Sequence, residues 1–301
     1  VTPPSSGAYS AGVTIALASA RPFDEIDPDL PLVHAAARRR GLDVRTVRWD
    51  DPAVDWDGFD LVVVRSCWDY TTRREEFLAW ADAVPNLANP AAVVRWNTDK
   101  TYLRDLQDAG VPVVETLWDV RAGDALPGEG EPDAEWVVKP SVSAGSRDTA
   151  RWSDPADVHR HSEQLVAAGR TSMTQRYVPS VDTEGETATL FLGGHFSHAI
   201  RKAPLLERGE GVNDERDSRG DITPRAPTAA QLEVASDTHA ALRRVLGDDL
   251  ALLYARIDLV TAPDGQPLVL EVELTEPSLF LPQSEGGEER LLDAIEQWVA
   301  R

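Results

Sequence analysis

The stretch "YARIDLVTAPDGQPLVLEVELTEP", Tyr254 to Pro277, holds two apolar runs separated by a turn sequence. Asp264-Gly265 is a strong tight-turn signal, so the two runs read as strands of an antiparallel hairpin. With those two residues as the loop, Pro263 faces Gln266, and the same pairing sets Asp258 opposite Glu271. Prolines at 263 and 267 are the residues that could shift this register. In it, Asp258, Glu271 and Glu273 share one face while Leu270, Val272 and Leu274 cover the other. Like charges at i and i+2 of a strand repel, and three close carboxylates raise one another's pKa unless a cation sits among them. An acidic strand on an acidic protein can simply be solvated. Three such residues on one face, flanked by core positions, favour a metal, and all-oxygen donors suit Mg²⁺ or Mn²⁺.

The whole chain sets the bounds. Its 301 residues allow two or three packed units. A net charge of −21 argues against nucleic-acid binding, so any polyanionic ligand must be met by locally placed Lys and Arg. The single Cys67 rules out an internal disulfide framework and reads as a small buried residue. A cytoplasmic setting fits, with no membrane span and a loose tail at "VTPPSSGAYSAG".

Along the chain, "VTIALAS" reads as a strand, "ARPFDEIDPD" as a polar loop, and "LPLVHAAARRRG" as a helix ended by Gly41. "VRTVRW" and the buried run Leu61 to Val64 are further strands, followed by a helix in "REEFLAWADAV". Together they predict a small open α/β unit. Asn97 or Thr98 is expected to cap a helix with Leu103 and Leu106 inward, ended by Gly110. "VPVVET" and "EWVVKP" are β-rich, and "VHRHSEQLVAAG" is helical. "TATLFLGGHFSHAIRK" predicts a hairpin at Gly193-Gly194; the polar segment from Leu205 to Pro227 reads as a long lid-like loop. A helix from Ala229 and a final amphipathic helix using Leu291, Leu292, Ile295 and Val299 complete the series.

A metal of this type shares its shell with phosphates, so a phosphate site should exist elsewhere. There is no P-loop and no GxGxxG fingerprint. What remains are Lys100 at a helix start, Lys139 at the end of "WVVKP", and the small-residue loop "SVSAGS" after it. A lone lysine is ordinarily a solvated surface group; Lys139 departs from that because it follows buried strand residues.

The order "DK…VVKPSVSAG…TQRYVP…ARIDLV…LEVELTEP" resembles the ATP-grasp ligases of the glutathione synthetase and D-alanine–D-alanine ligase kind, over nearly the whole chain. The resemblance implies a mixed α/β and α+β architecture. An N-terminal open α/β domain (1–94, substrate side) would precede a small lobe (95–172) and a C-terminal lobe with the metal site (173–301), the lobes enclosing the nucleotide. It implies Lys100 and Lys139 on the phosphates under a loop containing Ser143 and Gly145, Gln175 and Val178 near adenine, and Asp182 at the ribose. Arg256, with Lys139, would stabilise the acyl-phosphate, and Asp258, Glu271 and Glu273 would hold magnesium. Glu273 stands where the family commonly has Asn, which leaves it open to metal or substrate.

The implied reaction is ATP-dependent carboxylate–amine ligation through an acyl-phosphate on a small amino-acid-type substrate, with a homodimer left open. For that substrate, "RSCWDY" offers Arg65 for a carboxylate, Asp69 for an ammonium group, and Trp68 or Tyr70 as a wall; Glu276 and Ser278 fall on the substrate-side loop. His195 and His198 read as core or surface residues rather than ligands. Chain length and the segments "RSCWDY", "KPSVSAG" and "LEVELTEPSLFL" are most similar to the O-ureido-serine cyclo-ligases of cycloserine biosynthesis. Intermolecular ligation of amino acids, or a nucleotide-binding module without turnover, are the alternatives.

Overall fold

A computed structural model of the protein describes residues 12–213, 221–247 and 249–301. The expected N-terminal tail and the centre of the expected lid loop (214–220) lie outside the described residues, apart from Gly12. The described strands form three sheets.

The first sheet is parallel, ordered β2-β1-β3-β4, with β1 Thr14–Ser19, β2 Asp43–Arg48, β3 Leu61–Val64 and β4 Leu87–Ala88. β3 is buried throughout, as an unbroken apolar run in a covered parallel sheet requires. Helices α1 (Phe23–Ile26), α2 (Asp29–Arg40) and α3 (Arg74–Ala83) connect these strands. α2 stops at Gly41, whose φ of 70° lets its N–H return to Ala37 and Arg38. The expected polar loop after β1 contains the single turn α1, with Asp24 and Glu25 at its positive end.

Helices α4 (Ala91–Asn97) and α5 (Tyr102–Asp108) lead into the second sheet. Asn97 is therefore the last residue of one helix rather than the cap of the next. The second sheet is antiparallel, ordered β5-β8-β6-β7, with β5 Thr116–Trp118, β6 Trp136–Pro140, β7 Ala150–Trp152 and β8 Ser172–Arg176; α6 (Pro155–Ala167) covers it. β5 starts later than "VPVVET" suggested, because the preceding backbone is used elsewhere. Val114 donates to Val269 and Val269 donates to Pro112, tying this segment to the third sheet.

That third sheet is antiparallel, ordered β11-β10-β9-β12-β13. Short α7 (Ser180–Glu184) precedes β9 Glu186–Leu192, β10 His195–Lys202, β11 Ile222–Pro224, β12 Tyr254–Thr261 and β13 Pro267–Glu273. Gly193 and Gly194 supply the positive φ (57° and 86°) of the β9–β10 turn. β11 lies in what was expected to be loop throughout.

The β12–β13 hairpin differs from its expected form in two compensating ways. Its loop has three residues, Pro263 to Gly265, closed by Ala262 and Gln266, with Gly265 at φ 86°. Pairing near the tip is thus one residue off, as in Leu259 opposite Val269. A bulge then absorbs Leu270 and restores Asp258 opposite Glu271. Leu270 is displaced from the face it was expected to share with Val272 and Leu274, and it packs instead near Tyr177, Val178 and Val260.

α8 (Ala229–Leu246) packs under β12 and β13, while α9 (Gly287–Val299) packs between α2 and strands β9 and β10. One core accordingly mixes Ile15, Val33 and Val63 with Leu190, Leu292 and Ile295. Arg40 on α2 clamps α9 through Glu289, Asp293 and Glu296. Among the described residues, no helix is long and apolar enough to cross a membrane.

A single buried amide stitches the first sheet to the third. Asn89, just beyond β4, donates to the Tyr254 and Leu274 carbonyls and accepts from the Leu253 N–H. Asn89→Ala leaves three buried backbone groups without partners. The expected loss is about 2–4 kcal/mol in urea unfolding, with the slope unchanged.

Candidate active site

The bulge gives the third sheet a face on which Asp258, Glu271 and Glu273 converge, one carboxylate oxygen from each lying within 4.8 Å of the others. Burial alone would raise all three pKa values; the cations around them decide the outcome. Arg256 donates to both oxygens of Asp258, at 2.9 and 3.1 Å, and also pairs with Glu273. Lys202 lies 2.8 Å from Asp258 and 2.6 Å from Glu186. Lys100 lies 3.1 Å from Glu271 and donates to the Ser143 carbonyl at 2.7 Å. Against burial, Arg256 and Lys202 hold the Asp258 carboxyl below its usual range. Lys100 and Lys139 do the same for Glu271. Glu273 is different: burial pushes it up to about 7 despite Arg256, with Glu271 and Asp258 adding to the rise. The platform is an all-oxygen donor set with little of its surface exposed, and it fits a hard divalent cation.

Glu271, Glu273, Arg256, Lys100 and Lys202 line a cavity of about 740 Å³, with Asp258 buried behind them. Lys139 comes into it from β6, and burial, then neighbouring Lys100, lowers its pKa. Ser143 and Gly145 line the same region from the small-residue loop, with Gly145 at φ 62°. Gln175 and Val178 form a further wall with Tyr177, Val260 and the bulged Leu270. Beside Arg256 and Glu273, Tyr70, Trp68, Glu276 and Ser278 also line the space. The Trp68 indole N–H donates to the Glu276 carbonyl at 3.0 Å. Burial and the nearby Glu273 push the Glu276 carboxyl up to about 8, against the pull of its hydrogen bond from Tyr70.

Three expected site residues are turned elsewhere. Arg65 is fully buried and pairs with Asp29 at 3.1 Å, so it offers no guanidinium to the cavity. Asp69 accepts from the Trp49 indole and from Arg73, outside the cavity lining. Asp182 is held by Arg151 and by the Tyr177 hydroxyl and does not line the cavity. In each case a polar partner far away in sequence wins the side chain, which no local motif reveals. Cys67 is buried with its thiol pushed well above the usual value by burial, so it is inert. His195 is exposed, while His198 is held by Ser197 and the Leu279 carbonyl.

Lys202 and Glu186 are functional candidates that sequence reasoning missed. Counting back from a Gly193-Gly194 turn sets Lys202 opposite Gly185. A bulge between Phe196 and His198 moves it opposite Glu186. Gly185 itself passes so close that a Cβ there would lie 2.3 Å from the Lys202 carbonyl oxygen. The segment after β10 also crosses to the second sheet. Leu205 and Leu206 line the cavity, and Arg208 lies 3.0 Å from Glu135.

A parallel α/β sheet followed by two antiparallel sheets, closing on a cavity lined by lysines and paired carboxylates, defines the ATP-grasp fold. The chain superposes on D-alanine–D-alanine ligase from Bacillus anthracis complexed with ATP with a TM-score of 0.64. That match covers 97% of this chain and 98% of the other at 14% identity, a likeness of fold. Within that class the chain belongs to the DcsG family. It is 41% identical over 288 residues to the cycloserine biosynthesis protein DcsG of Streptomyces lavendulae, covering 90% of this chain and 93% of that one. The crystal structure of D-cycloserine synthetase DcsG superposes with a TM-score of 0.86 at 37% identity, covering 95% of this chain and 99% of that one. The family model for the N-terminal domain of D-cycloserine synthetase DcsG matches residues 15–89.

The cation set also carries part of the stability. Lys202→Met removes a partly buried partner from Asp258 and Glu186 together. It should cost about 2–4 kcal/mol in chemical denaturation. Adding Glu186→Gln should recover part of that loss.

Proposed function

We propose that the chain is an ATP-dependent carboxylate–amine ligase that closes a ring within one amino-acid-type substrate, O-ureido-serine. The observation that supports this most is one cavity in which Lys100, Lys139, Lys202 and Arg256 meet a three-carboxylate platform, in a chain of the DcsG family. In this reading residues 1–94 form the substrate-side domain, 95–172 the small lobe and 173–301 the lobe bearing the metal platform.

Lys100 and Lys139 meet the ATP phosphates, with Ser143 and Gly145 closing over them, while Gln175, Val178 and Leu270 wall the adenine. Lys202 is a third cation for the transferred phosphoryl group. Asp258, Glu271 and Glu273 hold Mg²⁺, which when bound neutralises phosphate charge. The substrate carboxylate attacks the terminal phosphorus and ADP leaves. Arg256, beside the platform, stabilises the charge that builds on the acyl-phosphate and on the tetrahedral adduct. A nitrogen of the same molecule then attacks the carboxyl carbon and phosphate departs. Positioning supplies much of the rate, since both reactants lie in one molecule held from both ends. Tyr70, Glu276 and Ser278 hold the substrate side. A serine, cysteine or histidine nucleophile has no step to perform.

The test is ADP release with O-ureido-serine, single amino acids and amino-acid pairs, with product masses recorded. Turnover on O-ureido-serine, giving a product lighter than the one substrate, is expected. It should vanish with EDTA, return with Mg²⁺, and fall by about a hundredfold or more in Glu271→Gln and Lys139→Ala. A product of summed mass less water would make the enzyme an intermolecular ligase. ATP binding without turnover on any substrate would make it a binding module.

A further inference from the structure

The loop between β13 and α9 carries the substrate end of the cavity, and one residue in it has an unusual backbone. Phe280 sits at φ 51°, ψ 40°, a left-handed conformation that a bulky residue adopts only when its surroundings enforce it. The enforcing group comes from the other end of the chain. Asp29, the first residue of α2, accepts from the Leu279 N–H at 2.7 Å and from the Leu281 N–H at 2.8 Å. The two amides that flank Phe280 thus converge on one carboxylate. Arg65 donates to the same carboxylate at 3.1 Å, so all three partners are donors. Asp29 and Arg65 are 1% and 0% exposed. From the other side, His198 lies 2.8 Å from the Leu279 carbonyl.

The kink has a consequence for the chemistry. It turns the Phe280 ring into the cavity, with its centroid 5.4 Å from the Arg256 guanidinium carbon. Arg256 also reaches the Ser278 carbonyl at 3.4 Å. An aromatic face at that distance favours a cation, excludes water from one side of it, and limits its swing. The other partners of Arg256 are the carboxylates of Asp258 and Glu273, so the ring and the Ser278 carbonyl are the parts of its surroundings set by the 278–281 loop.

We propose that Asp29 is a positioning residue for the reaction: by gripping the backbone on both sides of Phe280 it holds that ring over Arg256 and shapes the amino-acid end of the cavity. This rests on the ligase reading, because it assigns Arg256 to the acyl-phosphate step. The ATP end is built from Lys100, Lys139 and Lys202, on other elements, so the effect should divide the two substrates.

Steady-state kinetics on the full chain, with ATP and O-ureido-serine varied separately, test this. Asp29→Asn keeps the size but must turn an amide toward a donor. It should lower kcat/KM for the amino-acid substrate by about tenfold or more, leaving the KM for ATP within about twofold. Phe280→Gly accepts the left-handed conformation without strain and removes only the ring; it should give the same split. Phe280→Tyr, which keeps the ring, should restore most of the loss. The double variant Asp29→Asn/Phe280→Gly should be no worse than the poorer single one, because the two act through one contact. Losses that multiply, or a folded Asp29→Asn enzyme with kcat/KM within about twofold of wild type, would overturn the proposal. Should Asp29→Asn fail to fold, the Phe280 pair decides: a glycine variant as active as the tyrosine variant overturns it. Absence of turnover in the wild-type enzyme would instead count against the ligase reading.

Discussion

Charge compensation across sheets is the constraint on which this structure turns. Asp258, Glu271 and Glu273 sit side by side, the first buried and the other two partly buried, an arrangement that costs more than a strand can recover from its own packing. No neighbour on the same two strands except Arg256 can offset it. Lys202 arrives from β10, Lys100 from the junction of α4 and α5, and Lys139 from β6 of a different sheet. The site is therefore assembled only when the second and third sheets have closed, and a correctly formed hairpin in isolation would hold three carboxylates with Arg256 as their one cation. Folding and the assembly of the catalytic surface are in this sense one event.

The same constraint explains what could be read from the residues in advance. Asp258, Glu271 and Glu273 lie within sixteen residues on two strands joined by a turn, so local periodicity was enough to bring them together. Even so, the Asp258–Glu271 pairing does not follow from the turn residues alone. The loop is one residue longer than Asp264-Gly265 implies, and the bulge at Leu270 cancels the offset. Bulges carry little local signal, and the second one, before His198, hid Lys202 for the same reason. Arg65 and Asp69 were plausible substrate contacts because they follow a buried strand. Asp29 and Trp49, residues far off in the chain, claim them instead. Side-chain identity gave the chemistry; long-range pairing decided which side chains were free to perform it.

The first sheet contributes to the active region mainly by holding backbone. Asn89 ties down Leu253, Tyr254 and Leu274. Trp68 holds Glu276, and Asn97, at the end of the following helix α4, accepts from Leu274 and Thr275 and donates to Val272. Tyr254 in turn donates back to Val64 at the end of β3. These contacts run along β13 and its continuation, the segment that carries Glu271, Glu273 and Glu276. A hydrogen-bonded backbone fixes side-chain origins more tightly than packing alone, and a carboxylate platform tolerates little error in spacing. The N-terminal segment matched by the DcsG family model thus meets the third sheet along the strand where that precision matters.

A protein of net charge −21 that handles a polyanion faces an obvious objection, and the distances answer it. Exposed charges separated from the site by more than a Debye length, about 8 Å at physiological ionic strength, are largely screened. Many surface carboxylates also have a guanidinium beside them, as in the Arg39 and Arg40 contacts with Glu288, Glu289, Asp293 and Glu296. Inside the cavity the balance is local: Lys100, Lys139, Lys202 and Arg256 are all at least four-fifths buried. In that setting Coulomb terms between near neighbours outweigh the summed field of the surface. The acidic exterior and the cationic cavity are compatible because screening separates them, and the carboxylate platform keeps the four cations from repelling one another before any phosphate arrives.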